Sequence, residues 1–237
     1  MRLALVALLA LACVGCGGGA DDDEEGTPVA ATAGAEEPAV GEALVDFLEA
    51  VDRGDDRALW AALSPQTQET MGPTYAEFHR GLAADLRDDL ARQTGLPKAV
   101  LARRVGSWGV AAATGTRVVD DEEEPYAYAT AVRRVGGEWR VELGGAAAIG
   151  LLPGHLDESD GTPTLAATLD ASGPLERSLL WLDGEPLPLR RDDEGPFGAR
   201  VRHKVESELP EGWHVATTLA TTPETAAAAA WAFEVVS

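Results

Sequence analysis

The sequence predicts two folded units in series: an α+β unit over residues 41–150, with helices followed by an antiparallel sheet, and an all-β sandwich over 163–237. Three observations predict it. Apolar residues between 44 and 90 recur at helical spacing, and those between 99 and 143 alternate with period two around glycine turns. After Pro153-Gly154 the period-two alternation persists with no convincing helix. A run of helices and then strands defines α+β, and repeated alternation punctuated by turn residues defines a sandwich. A chain of 237 residues is long enough for two small domains.

Leu44, Phe47, Leu48 and Val51 stand at i, i+3, i+4 and i+7, the stripe of an amphipathic helix. Gly54 marks its stop and Asp55 caps a short second helix carrying Leu59, Trp60 and Leu63. Ser64-Pro65 offers a new N-cap with proline in the first helical position. Thr74-Tyr75-Ala76-Glu77 is a capping box. It predicts one helix with Tyr75, Phe78, Leu82, Leu86 and Leu90 along its buried stripe, ended by Gly95 and Pro97.

Strands are expected over 99–105 and 108–113, split by Gly106, and over 126–135 and 138–143, joined at Gly136-Gly137. Two glycines tolerate the positive φ angles of a type I′ turn. That turn pairs Val132 with Val141 and Thr130 with Leu143, and puts Arg133 beside Arg140 on a solvent face. Tyr126 and Tyr128 are expected on alternate faces, so that at most one points inward. The acidic run 120–124 reads as a solvated loop. Calcium is its alternative, but the run lacks the alternating oxygens and turn glycine of a calcium loop, so no metal site is expected.

In the second unit Leu165, Ala167 and Leu169 alternate, as do Ala199, Val201, His203 and Val205, and again Trp213, Val215, Thr217 and Leu219. Asp183-Gly184 is a turn signal. The alanines 226–230 favour helix locally, which delays the last strand to about Trp231.

VDFLEAVDRGDDRALWAALSPQTQ (45–68), a further helix and a hairpin ending in GGEWRVEL (136–143) resemble the nuclear-transport-factor-2-like cone fold. The resemblance implies a curved sheet wrapped around helices, able to enclose a pocket. Enzymes of that superfamily place an acid base and a tyrosine or aspartate donor inside it; no such pair can be assigned here. Trp60, Phe78, Trp108, Tyr128 and Trp139 are the candidate lining of a pocket, or else core filling. LLWLDGEPLPL (179–189), LPEGWHVATTLA (209–220) and WAFEVV (231–236) resemble bacterial immunoglobulin-like surface domains. Residues 151–162 would link the two units.

The N-terminus reads as an address. Arg2 precedes an apolar run of 12 residues, Leu3 to Val14. A bilayer span needs about 20, so the run fits a secretion signal. Cys-Val-Gly-Cys at 13–16 resembles a bacterial lipoprotein cleavage box, which implies a signal peptide of 1–15 and acylation of Cys16. Cleavage before Cys13 and an unlipidated secretion signal are the alternatives. Stable attachment takes more than one acyl chain, and the resemblance implies two or three. Residues 16–40 would form a disordered tether with seven acids and no basic residue. Processing at Cys16 leaves a single cysteine, which excludes an intrachain disulfide or a cysteine zinc site in the mature chain.

The net charge is −21, with 40 acidic and 19 basic residues. A nucleic-acid partner is therefore not expected. The four histidines are widely spaced, and no HExxH, Walker loop, GxSxG or CxxC motif occurs. No catalytic residue and no cofactor can be assigned. The expectation is a non-enzymatic, extracytoplasmic, membrane-anchored lipoprotein that binds or organises another envelope component; inner and outer membrane both remain open. The alternatives are small-molecule binding, or isomerase or hydrolase activity, in the cone pocket, and a passive spacer.

Overall fold

The computed structural model describes residues 28–29, 38–143, 146–171, 173–193 and 197–236. Its helices begin where the capping residues stand. Helix α1, Pro38–Asp52, buries Val40, Leu44, Phe47 and Leu48 on one stripe. Gly54 closes it at φ +63°. Asp55 then accepts the backbone N–H groups of Arg57 and Ala58 at 3.1 and 3.0 Å and starts α2, Asp56–Ala62. Ser64 Oγ accepts the Thr67 N–H at 3.1 Å and starts α3, Pro65–Met71. Thr74 and Glu77 form the expected reciprocal box at α4, Tyr75–Gly81. Each such cap contributes about 1 kcal/mol.

The single helix expected after Thr74 is two. Helix α5, Ala83–Gln93, follows a break at Leu82. Gly81 is a weak helix former, and the break turns the next residues by one position. Leu82 is 39% exposed and Ala83, at 1%, takes its place against the core.

The helices cover one face of a four-stranded antiparallel meander, the helix-side sheet. Its strands are β2 (Ala99–Val105), β3 (Trp108–Val119), β4 (Glu122–Val135) and β5 (Glu138–Glu142). Gly136 and Gly137 sit at φ +59° and +95°, and Val132 pairs with Val141 as expected. The run 120–124 is not a loop. Asp120 and Asp121 alone make the turn, at φ +51° and +66°, and Glu122–Glu124 belong to β4. Aspartate is among the few residues that tolerate this left-handed geometry. Opposite them β3 runs on to Val119, six residues past the expected end.

Two five-stranded sheets follow. The middle sheet orders β10 (Glu185–Pro186), β9 (Arg177–Leu182), β13 (Gly212–Thr221), β14 (Ala226–Val235) and β7 (Glu158–Ser159). The outer sheet orders β1 (Pro28–Val29), β11 (Leu189–Asp193), β12 (Gly198–Lys204), β8 (Thr164–Ala171) and β6 (Ala146–Leu152). All pairings are antiparallel except β14 with β7. The stretch 151–162, read as a linker, supplies the end of β6 and all of β7. The alanines 226–230 are strand, not helix: they pair residue for residue with Thr217–Thr221 of β13, and tertiary context overrides local propensity.

The layers stack as helices, helix-side sheet, middle sheet and outer sheet. Leu165, Leu169, Leu180, Val201, Trp231 and Phe233 fill the space between middle and outer sheets. The seam between helix-side and middle sheets holds Trp108, Val110, Ala112, Ala129 and Ala131 against Leu179, Trp181, Leu219 and Ala226. The face expected to carry Arg133 into solvent is therefore largely covered. Within the segment read as a tether, Pro28 and Val29 pair with Arg190 and Leu189 at the edge of the outer sheet. Cys16 and residues 1–15, where a signal peptide is expected, lie outside the described residues.

Candidate functional site

The helix-side unit presents an open groove of about 570 Å³ between α1, α2 and the β4–β5 turn. The burial stripe of α1 leaves Ala39, Glu42, Ala43 and Asp46 on the groove side, and α2 adds Ala58, Ala61 and Ala62. Small side chains make the trough. Trp139, 9% exposed, is its one aromatic, with Glu138 and Arg140 beside it. Arg53 at the rim is held by Glu49 at 2.7 Å, and Arg140 pairs with Glu138. The arrangement offers apolar contact flanked by the carboxylates of Glu42 and Asp46, which is chemistry for binding.

The five aromatic residues singled out in the sequence do not line one pocket. Trp60, Phe78, Tyr128 and Trp139 all pack in the core between helices and sheet. Trp60 and Phe78 are in ring contact, with centroids 5.3 Å apart. Trp60 also borders a smaller groove, of about 370 Å³, with Pro65, Gln68 and Val135. Trp108 is on the opposite face of the sheet, in the seam, with the Arg133 guanidinium 5.0 Å over its ring. Tyr126 and Tyr128 both face the helices, as residues two apart on a strand must. Burial pushes the Tyr128 phenol up to about 12, against the opposing pull of a hydrogen bond with Thr130.

Sequence reasoning missed a polar cluster at the end of the seam. Glu142 is 3% exposed, and its Oε2 has no hydrogen-bond partner. Burial raises its pKa, while a hydrogen bond from Ser64 and the charge of Arg133 lower it by less. Arg133 reaches Gln66 Oε1 and the Glu224 carbonyl, each at 3.2 Å. It thereby links α3 to the β13–β14 turn across a groove of about 600 Å³. The alternation Glu138, Arg140, Glu142 reads as a solvent face, so only the position of α3 and that turn reveals the burial. Glu142 and Tyr128 stand on opposite faces of the sheet, since Trp139 and Val141 share the helix side with Tyr128.

Three histidines hold structural positions. His214 has Asp183 Oδ2 at 2.7 Å from Nδ1 and the Pro210 carbonyl at 2.8 Å from Nε2. His203 Nδ1 meets the Pro188 carbonyl at 2.6 Å at the edge of the sandwich. His155 accepts the Ala232 N–H at 3.1 Å. Its pKa is lowered by burial first and then by the charge of Arg117, with Glu124 opposing. Among the described residues no three histidine, cysteine or acidic groups converge on a common point.

Fold and grooves together define a mixed α+β protein with a helix-covered meander stacked on two further, mostly antiparallel sheets. No family model matches the chain, and no curated protein matches it in sequence. Among solved structures it is similar to dimeric latent PorU from Porphyromonas gingivalis, at 14% identity and a TM-score of 0.35, over 54% of this chain. The chain spans 14% of that structure's length, and a likeness this low carries no argument.

Proposed function

We propose that the protein is a lipid-anchored, extracytoplasmic binding protein that holds or organises another envelope component at the groove between α1 and α2. In this reading the helices and meander are a cone-type unit and the two outer sheets an immunoglobulin-like sandwich. The observation that carries the anchoring is Gly15-Cys16 placed directly after the apolar run Leu3–Val14. Among the described residues no helix is long and apolar enough to cross a membrane. The binding role is supported by a 570 Å³ groove whose polar groups are carboxylates and guanidinium groups. An inward carboxylate beside a tyrosine, the pattern that favours the alternative of a pocket isomerase or hydrolase, is not formed by Glu142 and Tyr128.

The test is in cells. Cys16→Ser, or globomycin, releases the protein from the membrane or halts its maturation. Crosslinking from a photoreactive residue at Ala43 captures a reproducible envelope neighbour, and Ala61→Arg abolishes that capture. Intact protein in the cytosol with its initiator methionine overturns the anchoring. Absence of any neighbour dependent on Ala61 overturns the binding role.

A further inference from the structure

The groove beside α1 and α2 is bounded by β5, and β5 is the edge of its sheet. Among the described strands it pairs only with β4. Part of its open side is already in use. Leu63 forms a single parallel bridge with Val141, and the Ser64 N–H donates to the Val141 carbonyl at 2.8 Å. That carbonyl therefore points away from β4. Backbone groups two residues apart on a strand point the same way, so Trp139 turns its N–H and C=O to the open side as well. Arg134, opposite Trp139 on β4, sends its own N–H the other way, to the Ser107 carbonyl at 3.1 Å. Among the described residues no backbone group meets Trp139 on its open side.

An open edge of this kind is a template for a further strand. The side chains around it set what that strand carries. The alanines of α1 and α2 leave an apolar trough beside Trp139. The charges in the groove are largely matched: Arg140 pairs with Glu138, and Arg53 with Glu49. Arg57 of α2 is turned to the Tyr75 ring, and Arg134 stands one strand inward from the edge. Glu42 and Asp46 are left, both exposed and both without an ion-pair partner among the described residues. They lie one turn apart on α1, with Cβ atoms about 6 Å from each other.

We propose that the groove takes an extended segment of a partner protein as an added strand beside β5, with an apolar residue opposite Trp139 and a lysine or arginine two positions on. The Trp139 backbone supplies main-chain hydrogen bonds, as strand addition requires. Directly opposite residues share a face, so the apolar side chain enters the alanine trough. Side chains two apart also share a face, about 7 Å from each other, which brings the cation to Glu42 and Asp46. A second copy of the chain has the wrong charge for this role, since it brings the same −21. The inference names the chemistry of the partner and rests on the groove being a binding site.

The test uses the full chain and a dye-labelled synthetic peptide in which valine and lysine alternate at every second position, with threonine between them. Fluorescence anisotropy follows binding. The expected result is saturable binding that Ala61→Arg weakens by about tenfold or more, by filling the trough. Glu42→Gln with Asp46→Asn weakens it by about threefold or more, as two exposed ion pairs should. N-methylation of the valines removes main-chain donors and should cost about tenfold or more. Equal binding of the methylated peptide overturns the added strand. An equal loss from Glu206→Gln with Glu211→Gln, the same charge change on the outer part of the molecule, makes the attraction general and overturns it too. An Ala61-dependent dimer in sedimentation gives the groove to a second copy, with the same consequence. In cells, a neighbour captured from position 43 that depends on Ala61 but not on Glu42 and Asp46 overturns this partner chemistry and leaves the binding role standing. Absence of any such neighbour removes both.

Discussion

The two faces of the helix-side sheet are buried by different means. Toward the helices the packing uses large side chains: Leu44, Phe47, Leu59 and Phe78 are all fully buried. Toward the middle sheet it uses alanine, with Ala112, Ala129, Ala131 and Ala226 around the two tryptophans 108 and 181. A helix packed on a sheet leaves deep spaces that long side chains fill. In the seam alanines alternate with Val110, Leu179, Leu219 and the two tryptophans, so at the alanine positions there is little room for added bulk. The helix core is accordingly the more sensitive to losing atoms and the seam to gaining them, with Trp181 in the seam and Gly109 on the helix side as exceptions.

The largest effect tests whether the seam joins the layers into one cooperative body. Phe47→Ala and Trp181→Ala each remove a fully buried aromatic ring, which costs about 3–5 kcal/mol. Both should lower the same single unfolding transition in calorimetry. Two transitions, each moved by only one substitution, would make the seam a contact between independent units. Next in size is Ala112→Leu, whose added bulk in the seam should cost about 1–3 kcal/mol. Gly109→Ala should do the same on the other side, since a Cβ there would meet both Val40 and Val132 at 2.9 Å. Denaturant midpoints measure both. If Ala112→Leu is neutral, the seam has room and the contrast fails.

Much of this arrangement was legible in the sequence, and the gaps have physical causes. Caps at Asp55, Ser64 and Thr74 and the register around Gly136-Gly137 are local chemistry, and each is where it was expected. The doubly buried sheet was harder. Trp108 through Ala113 is apolar without alternation, the mark of a strand covered on both sides, but alanine is small enough to read as neutral. The Asp120–Asp121 turn was hidden by its own charge, since a run of acids reads as solvated loop whether or not its first two residues reverse the chain. The aromatic candidates were the right residues for a core but carried no information on which side of the sheet each stood. Glu142 could not be singled out at all, because its burial depends on α3, more than 70 residues away in sequence.

Glu142 gives the seam a pH dependence at the acidic end of the range, where the helix-core tyrosines give none. Burial raises its pKa above the ordinary 4.5. The folded state therefore favours the protonated acid. The associated stability is complete below about 4.5 and declines as pH rises through the folded value. Glu142→Gln keeps the shape without the charge. It should flatten the fall in stability above pH 4.5 seen by denaturant titration of the parent chain. An unchanged slope would place the ionised carboxylate in contact with water after all.

The smallest expected effect lies outside the seam, at His214, whose ring stacks on Phe233 on the side of the middle sheet that faces the outer sheet. Burial disfavours its charge, but the hydrogen bond to Asp183, the Pro210 carbonyl and the Asp183 charge together raise its pKa above the ordinary 6.5. Both ring nitrogens face acceptors, so both carry protons when the ring is charged. The stabilisation is fully present below about 6.5 and is lost as pH rises through the folded value, a window higher than that of Glu142. His214→Gln should abolish the stability difference between pH 6 and pH 9 that remains in Glu142→Gln, and Asp183→Asn should reduce it by removing the negative charge beside the ring. Asp183 is 47% exposed at its side chain, so solvent screens the pair and the step is small. The two windows separate cleanly if the substitutions are additive, as sites without shared partners should be. Strong non-additivity would instead show that the seam and the interior between the middle and outer sheets open together.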